Sequence, residues 1–439
     1  MYRKIIKDLL NWKNSPLRKP LLLSGARQTG KTYVIEKQFG KDYYKKIIKI
    51  NFERDLDAQK IFENDLEPHR IIVRLENYTN TRITPEDTLI FFDEVQACPQ
   101  AITSLKYFCE DAREYHIIAA GSLLGVMVNR YVGGKSFSFP VGKVDSLRMY
   151  PMDFEEFLIA NNCDILRDTI EKHFAELSPL DDSLHEKALE LFRAYLVIGG
   201  MPEAVKDYID TKSFVSATSI VSRIYDDYLN DTSKYCSTSE ALKNKACYES
   251  IAKQLLKENK NFKYSEVQKG KNSQYFGTSI EWLLNAGIVL KSRLVETPRY
   301  PLNVHVDEFL YRIYFSDVGL FRHKVDLPIT LALDPEYKAD ITGLLAENYV
   351  ACQLSTKGIP LLYWNGKNNS EIEFLLQEGE EIIPFEVKAG KRVTSKSLNV
   401  YKNNYKVTHV YRTSQKNFGR VDNIISIPLY SVFCINKNV

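Results

Sequence analysis

Long apolar runs are missing from this sequence. No stretch approaches the roughly 20 consecutive apolar residues that a membrane-spanning helix needs. There are seven cysteines but no C-x-x-C pair, which reads as reduced intracellular thiols rather than a disulfide framework. Residues Met1 to Leu10 have the pattern of a short amphipathic helix, not of a secretory leader. Net charge is also scarce. The 59 Lys and Arg against 56 Asp and Glu leave +3, too little to argue for nucleic acid unless local patches carry the case. These absences predict a cytoplasmic protein, or one at most peripheral to a membrane. What is present is ordinary for a globular chain: 439 residues, 44% hydrophobic and 26% charged, enough for two to four domains with their own cores.

One stretch organises the rest. Leu21-Leu22-Leu23-Ser24 reads as a buried strand and runs into Gly25-Ala26-Arg27-Gln28-Thr29-Gly30-Lys31-Thr32, a G-x-x-x-x-G-K-T loop followed by a helix pattern. The glycines let the backbone turn tightly enough for successive N–H groups to cradle phosphate oxygens at a helix N-terminus. Residues 25–32 are therefore the expected nucleotide-binding set. Lys31 supplies a point charge for the β- and γ-phosphates, and the Thr32 hydroxyl is placed to ligate Mg²⁺. ATP and Mg²⁺ are the expected cofactors.

A second strand is expected at Ile47 to Phe52, with 53–77 mostly helical. The apolar run Thr88 to Phe92 ends in Asp93-Glu94, as a central parallel strand would deliver acids to its C-terminal edge. Asp93 is the candidate for the Mg²⁺ shell and Glu94 the candidate base for the attacking water. The strand His116 to Ala120 ends in Gly121-Ser122, where Ser122 can touch the γ-phosphate or the lytic water. Gly133-Gly134-Lys135 reads as a loop.

These residues carry a specific resemblance. Pro20 to Thr32, Phe91-Phe92-Asp93-Glu94-Val95-Gln96, Ala120-Gly121-Ser122 and Tyr150-Pro151-Met152-Asp153-Phe154-Glu155-Glu156-Phe157-Leu158 resemble the AAA-type ATPase family of bacteria and archaea with a C-terminal domain of unknown function. Gly199-Gly200-Met201-Pro202 and Tyr314 to Leu320 extend the resemblance over nearly the whole chain. It implies an α/β P-loop AAA-type parallel-sheet core over 1–153, ATP hydrolysis, and a helical lid over 154–238. Many such ATPases need a neighbour to complete the site, so a homo-oligomer is a further expectation. Where relatives often have Gly-Arg, this chain has Gly142-Lys143, and lysine is a poorer planar donor than an arginine finger. Arg148 and Arg130 are the substitutes to weigh.

Residues 239–325 read as three helices (245–259, 264–268, 274–285) and two strands (288–295, 309–315), the plan of a winged-helix-like domain. Lys263, Lys269, Lys271, Asn272, Ser273, Gln274 and Tyr275 stand at or before the third helix, mixing phosphate and base-edge chemistry. DNA contact and protein contact are both open at this point.

Residues 335–439 hold a second constellation. A helix over 342–354 carries Glu347, and strands follow at 361–365, 370–376 and 382–388. Glu373 lies on the second strand, and Glu386 and Lys388 lie two apart on the third, hence on one face. Helix, strand, acid, then E-x-K resembles the core of the PD-(D/E)xK nuclease superfamily. The resemblance implies that Glu373 and Glu386 hold a metal, with Glu347 and Lys388 joining the catalytic set. Glu373 stands where Asp is commoner. Asn365, Lys367, Asn368 and Asn369 make a polar turn, and Lys391, Arg392, Lys396 and Lys402 a basic run beside the groove.

Two functions follow. In the first, an Mg²⁺-dependent ATPase acts on DNA as a remodeller or ATP-regulated nuclease in repair, mobile-element control or defence. In the second, a nucleotide-dependent switch binds a protein partner and the nuclease-like site is inert. A metabolic kinase is disfavoured, because Asp93-Glu94 suits activation of water.

Overall fold

A computed structural model of the chain describes residues 1–122, 138–337, 340–367, 370–390 and 396–436. The loop at Gly133 to Lys135, and with it Arg130, lies outside the described residues, as do Asn368, Asn369, Lys391 and Arg392. The chain forms two compact units. One is Arg3–Tyr150 with Asn285–Gly287, and the other is Pro151–Leu284 and Ile288–Val439 with Met1–Tyr2. Among the described residues no helix is long and apolar enough to cross a membrane.

The N-terminal unit is built on β1 (Leu21–Ser24), β2 (Lys46–Asn51), β3 (Thr88–Asp93), β4 (His116–Ala120) and β5 (Asp145–Arg148). They form one sheet in the order β2-β3-β4-β1-β5, and every pairing is parallel. Successive side chains of a strand point to opposite faces, so uninterrupted apolar strands feed two cores at once. Leu22, Ile90, Phe92, Ile117 and Ala119 enter one core with the helices Pro68–Thr79 and Pro99–Asp111. Leu21, Leu23, Leu89, Phe91, Ile118 and Ala120 enter the other, with the helix Ile5–Asn14 and Phe39. The region expected to be helical over 53–77 is instead a 3₁₀ turn, Asp57–Phe62, followed by the helix Pro68–Thr79. Pro68 stops any helix from running through, and it starts the second one at the position where proline is best tolerated.

The second unit opens with helices, among them Phe154–Ala160, Asp182–Ile198 and Phe214–Tyr235. Asp153 and Glu156 form a capping box on the first. The helix expected at 245–259 runs from Thr238 to Leu255, because Ser237 and Glu240 cap it earlier. Strands β6 (Val289–Val295) and β7 (Val306–Phe315) pair as an antiparallel hairpin. That hairpin does not stand alone: β6 also pairs in parallel with β8 (Leu362–Asn365), which pairs with β9 (Glu371–Ile372). The expected strand 370–376 is therefore broken. β9 belongs to the sheet β7-β6-β8-β9, whereas β10 (Phe374–Glu378) leads the sheet β10-β11-β12-β14-β13. The other members of that sheet are β11 (Glu381–Val387), β12 (Val410–Ser414), β13 (Gly419–Val421) and β14 (Ile424–Pro428). Glu373 sits at the corner between the two sheets.

Gly199-Gly200-Met201-Pro202 punctuates the helices for a packing reason. A Cβ on Gly200 would lie 1.8 Å from the Met152 carbonyl oxygen, and Gly200 exchanges backbone contact with Met152 through a 2.7 Å hydrogen bond. The Gly200 N–H donates to Asp317 at 2.6 Å, and the other oxygen of Asp317 accepts from Leu320 N–H at 3.0 Å, capping the next helix. Burial pushes the Asp317 carboxyl up from 3.8 to about 6, against the pull of these N–H donors. A carboxyl whose folded pKa is raised stabilises relatively more at low pH, and that advantage is lost as pH rises through about 6. Urea unfolding of wild type against Asp317→Asn at pH 5 and pH 7.5 should show the wild-type advantage shrinking by about 1–2 kcal/mol at the higher pH. An unchanged or growing advantage would contradict the assignment.

Candidate functional site

The loop after β1 is shaped by close approach. The Met149 N–H donates to Ser24 O at 2.8 Å, and a Cβ on Gly25 would lie 2.1 Å from Met149 O. Only glycine fits there. Gln28 and Gly30 take left-handed φ values of 61° and 88°, and the helix begins at Lys31. This is the alternation that turns successive N–H groups into an anion cradle. From beneath, the buried Arg3 guanidinium holds the loop, donating to Thr29 O and to Tyr150 O at 2.7 Å each. The Thr29 hydroxyl donates to Ala26 O at 2.9 Å.

Lys31 is buried and its ammonium donates to Gly25 O at 3.0 Å and Ala26 O at 2.7 Å. Burial lowers its pKa to about 8, with Glu94 and Asp93 pulling the other way. A buried cation resting on two neutral carbonyls fits a phosphate far better than it fits its present partners. Thr32 Oγ1 lies 3.1 and 3.3 Å from the two oxygens of Asp93, a hard-oxygen pair suited to Mg²⁺. The strand order brings Thr32, Lys31, Asp93 and Glu94 together, since all the parallel strands end at one edge. Ser122 follows β4, the strand between β1 and β3, and is buried. Glu94 has a left-handed φ of 49°, and its carboxylate accepts from Gln96 Nε2 at 2.5 Å.

Some members of this edge escaped the motif reading. Asn51 Nδ2 donates to Asp93 at 3.2 Å, from the neighbouring strand position. Lys49 Nζ lies 3.3 Å from Asp93 and 3.1 Å from Glu36. The alternation of β2 places Lys49 and Asn51 on one face beside β3, and that was the available signal. Lys143, the residue at the expected finger position, pairs with Glu110 at 2.9 Å. The Arg148 guanidinium lies 5.4 Å from the centre of the Tyr150 ring.

In the second unit, Glu373, Glu386 and Lys388 do converge. Lys388 Nζ lies 3.2 Å from Glu386 and 3.7 Å from Glu373. Glu386 is fully buried, and its other oxygen accepts from Arg412 Nε at 2.7 Å. Glu373 accepts from the Val387 N–H at 3.1 Å, and burial pushes its carboxyl up despite Lys388. Glu347 opens on the same cleft, of about 950 Å³, but its oxygens are taken. One accepts from Tyr314 OH at 2.5 Å and faces Arg312 at 3.4 Å; the other accepts from Lys260 at 2.7 Å. Lys260 and Arg312 also bind Glu371, at 2.7 Å each. Against burial, Arg312 and Lys260 hold Glu371 low, and Glu347 with Glu371 holds Lys260 high.

A divalent ion at Glu373 and Glu386 would compete with cations already paired there. Lys388 already lies between the two carboxylates, and Glu347 is committed to Lys260, Arg312 and Tyr314. Among the described residues no three His, Cys, Asp or Glu side chains are grouped to hold a metal. Glu373 and Glu386, the pair expected to hold a metal, and Glu347 and Glu371 beside them are met by four cations on neighbouring elements, Lys260, Arg312, Lys388 and Arg412. Removing one partner of a buried ion pair leaves an uncompensated charge. Lys260→Met should destabilise the chain by about 3 kcal/mol in urea unfolding, with part of the loss recovered in Lys260→Met with Glu371→Gln. A loss under about 0.5 kcal/mol, the size of an exposed pair, would show the network to be solvent-screened.

Three family profiles match successive segments. Residues 17–158 match the profile described as "AAA domain", 189–330 "Domain of unknown function (DUF8612)", and 342–432 "Domain of unknown function (DUF4143)". A search of curated proteins returned no match. Among solved structures, the chain is similar to the Walker-type ATPase of Pyrococcus abyssi at 14% identity and a TM-score of 0.41, over 74% of this chain and 95% of that one. The profile match and the five-stranded parallel sheet with its cradle agree: the N-terminal unit carries an AAA-type P-loop domain.

Proposed function

We propose that the chain is an Mg²⁺-dependent ATPase that acts on DNA, and that the cleft of its second unit binds without cutting. The observation that carries the ATPase reading is the meeting of Lys31, Thr32, Asp93 and Glu94 at one sheet edge. In this reading Lys31 exchanges its two carbonyl partners for the β- and γ-phosphate oxygens. Thr32 and Asp93 hold Mg²⁺, which supplies charge neutralisation at those oxygens. Glu94 takes a proton from water as its oxygen bonds to the γ-phosphorus. The bond from that phosphorus to the β–γ bridging oxygen breaks, and ADP leaves with the electron pair.

The DNA part of the reading is supported by the start of the helix Ser273–Asn285. Lys263, Lys269, Asn272, Ser273 and Gln274 are exposed there. The Lys243 and Lys271 ammoniums lie 3.8 and 4.3 Å from the centre of the Tyr275 ring, an aromatic and cationic pairing suited to backbone phosphates and bases. The non-cutting part is supported by Lys388 filling the space between Glu373 and Glu386. One observation favours the protein-partner reading instead: Val304 and Phe309, on the β6–β7 connection and β7, are 73% and 89% exposed.

Glu94→Gln should keep ATP binding and lose about 10²-fold or more in turnover, measured as phosphate release. Wild-type turnover should rise with added DNA. Lys269→Glu with Lys271→Glu should weaken DNA binding and flatten its dependence on salt. Turnover indifferent to DNA would favour the protein-partner reading. Mg²⁺- or Mn²⁺-dependent DNA cleavage lost in Lys388→Ala would overturn the non-cutting assignment.

A further inference from the structure

We propose that Arg27, a residue of the phosphate cradle itself, supplies the guanidinium that stabilises the transition state, and does so within its own chain. The inference rests on the ATPase reading and adds a residue to it. Arg27 is the third residue of the loop 25–32. Its Nε donates to Ser122 Oγ at 3.2 Å, and Ser122 follows β4, between the strands that carry the cradle and the acids. The side chain thus reaches from the loop after β1 past the end of β4 toward Glu53, the side chain two residues beyond β2. Its outer nitrogen meets Glu53 at 3.8 Å, and both side chains are about a quarter exposed (24% and 28%).

Electrostatics agree with the placement. Arg27 is near enough to Lys31 to oppose the charge of its ammonium. Two cations in one cradle disfavour each other until an anion arrives, and the anion with most charge to share is the transferring phosphoryl group. Arginine suits this role because its planar fork reaches two oxygens at once, which an ammonium cannot do. At the expected finger position stands a lysine rather than an arginine: Lys143 pairs with Glu110 at 2.9 Å.

The full-length chain tests this with wild type, Arg27→Ala and Arg27→Lys. Arg27→Ala should bind ATP within about threefold of wild type yet turn over about 10³-fold more slowly. It should also lose the tight complex with ADP and aluminium fluoride that mimics the transition state. Arg27→Lys should recover little. Wild-type turnover per chain should stay constant on dilution, because the guanidinium is in cis. Wild-type turnover with Arg27→Ala within threefold of it, loss of ATP binding itself in Arg27→Ala, or turnover that collapses on dilution would each overturn the inference. A wild type that hydrolyses no ATP with any divalent ion would instead defeat the ATPase reading beneath it.

Discussion

The parallel order β2-β3-β4-β1-β5 is the constraint on which the N-terminal site depends. With every strand running the same way, the phosphate loop after β1, the acids after β3 and the serine after β4 must all surface at one edge. No long-range side-chain selection is needed to gather them. The hydrogen bond from Thr32 to Asp93 spans 61 residues of sequence, yet the backbone register alone brings the two elements close. The central strands β1, β3 and β4 are apolar on both faces, so a one-residue slip there would exchange two cores rather than expose one, and burial alone does not pin their register. What fixes the slip is the edge itself, where Gly25 is packed against Met149 O with no room for a Cβ.

Carboxylates in the second unit obey a different physics. Glu386 has no exposure and Glu347 3%. Desolvating a carboxylate that deeply costs several kcal/mol unless a partner travels with it. The partners arrive from distant sequence: Lys260 is 87 residues from Glu347 and 111 from Glu371. Arg312 is buried to 1% and stacks on Tyr363, with its guanidinium 4.1 Å from the ring centre. The hairpin β6–β7 is held to β8 and β9 by this pairing as well as by the strand ladder. Residues read in sequence as two separate segments therefore share one sheet.

This difference explains what was legible beforehand. The placement of the cradle, Asp93-Glu94 and Ser122 at strand ends was readable because each is a local pattern that follows an apolar run. Glu386 and Lys388 were readable as neighbours on a strand face for the same reason. Two things were not. The break of the strand at Glu373 leaves no mark in the alternating run Ser370 to Leu376, because both halves are extended and only the choice of partner strand changes. The cations that answer the acids leave no mark either. Lys260 follows a helix with other lysines around it, and nothing in its neighbours says that this one turns inward. Arg3 is a similar case: it reads as one charge of an N-terminal helix, and the structure spends it on holding Thr29 and Tyr150.

The two acid-bearing edges treat cations in opposite ways, and the surroundings of each carboxylate say why. Asp93 is held by two neutral donors, Thr32 and Asn51, and by Lys49, which is 31% exposed and shared with Glu36. A divalent ion arriving there displaces at most one well-hydrated ammonium, which water receives at little cost. At Glu373 and Glu386 an ion would have to expel Lys388 from between two buried carboxylates, against Arg412 already bonded to one of them. It would also bring its own desolvation. At the first edge the acid is met by neutral donors and one part-exposed lysine; at the second the counter-ions are built into the chain.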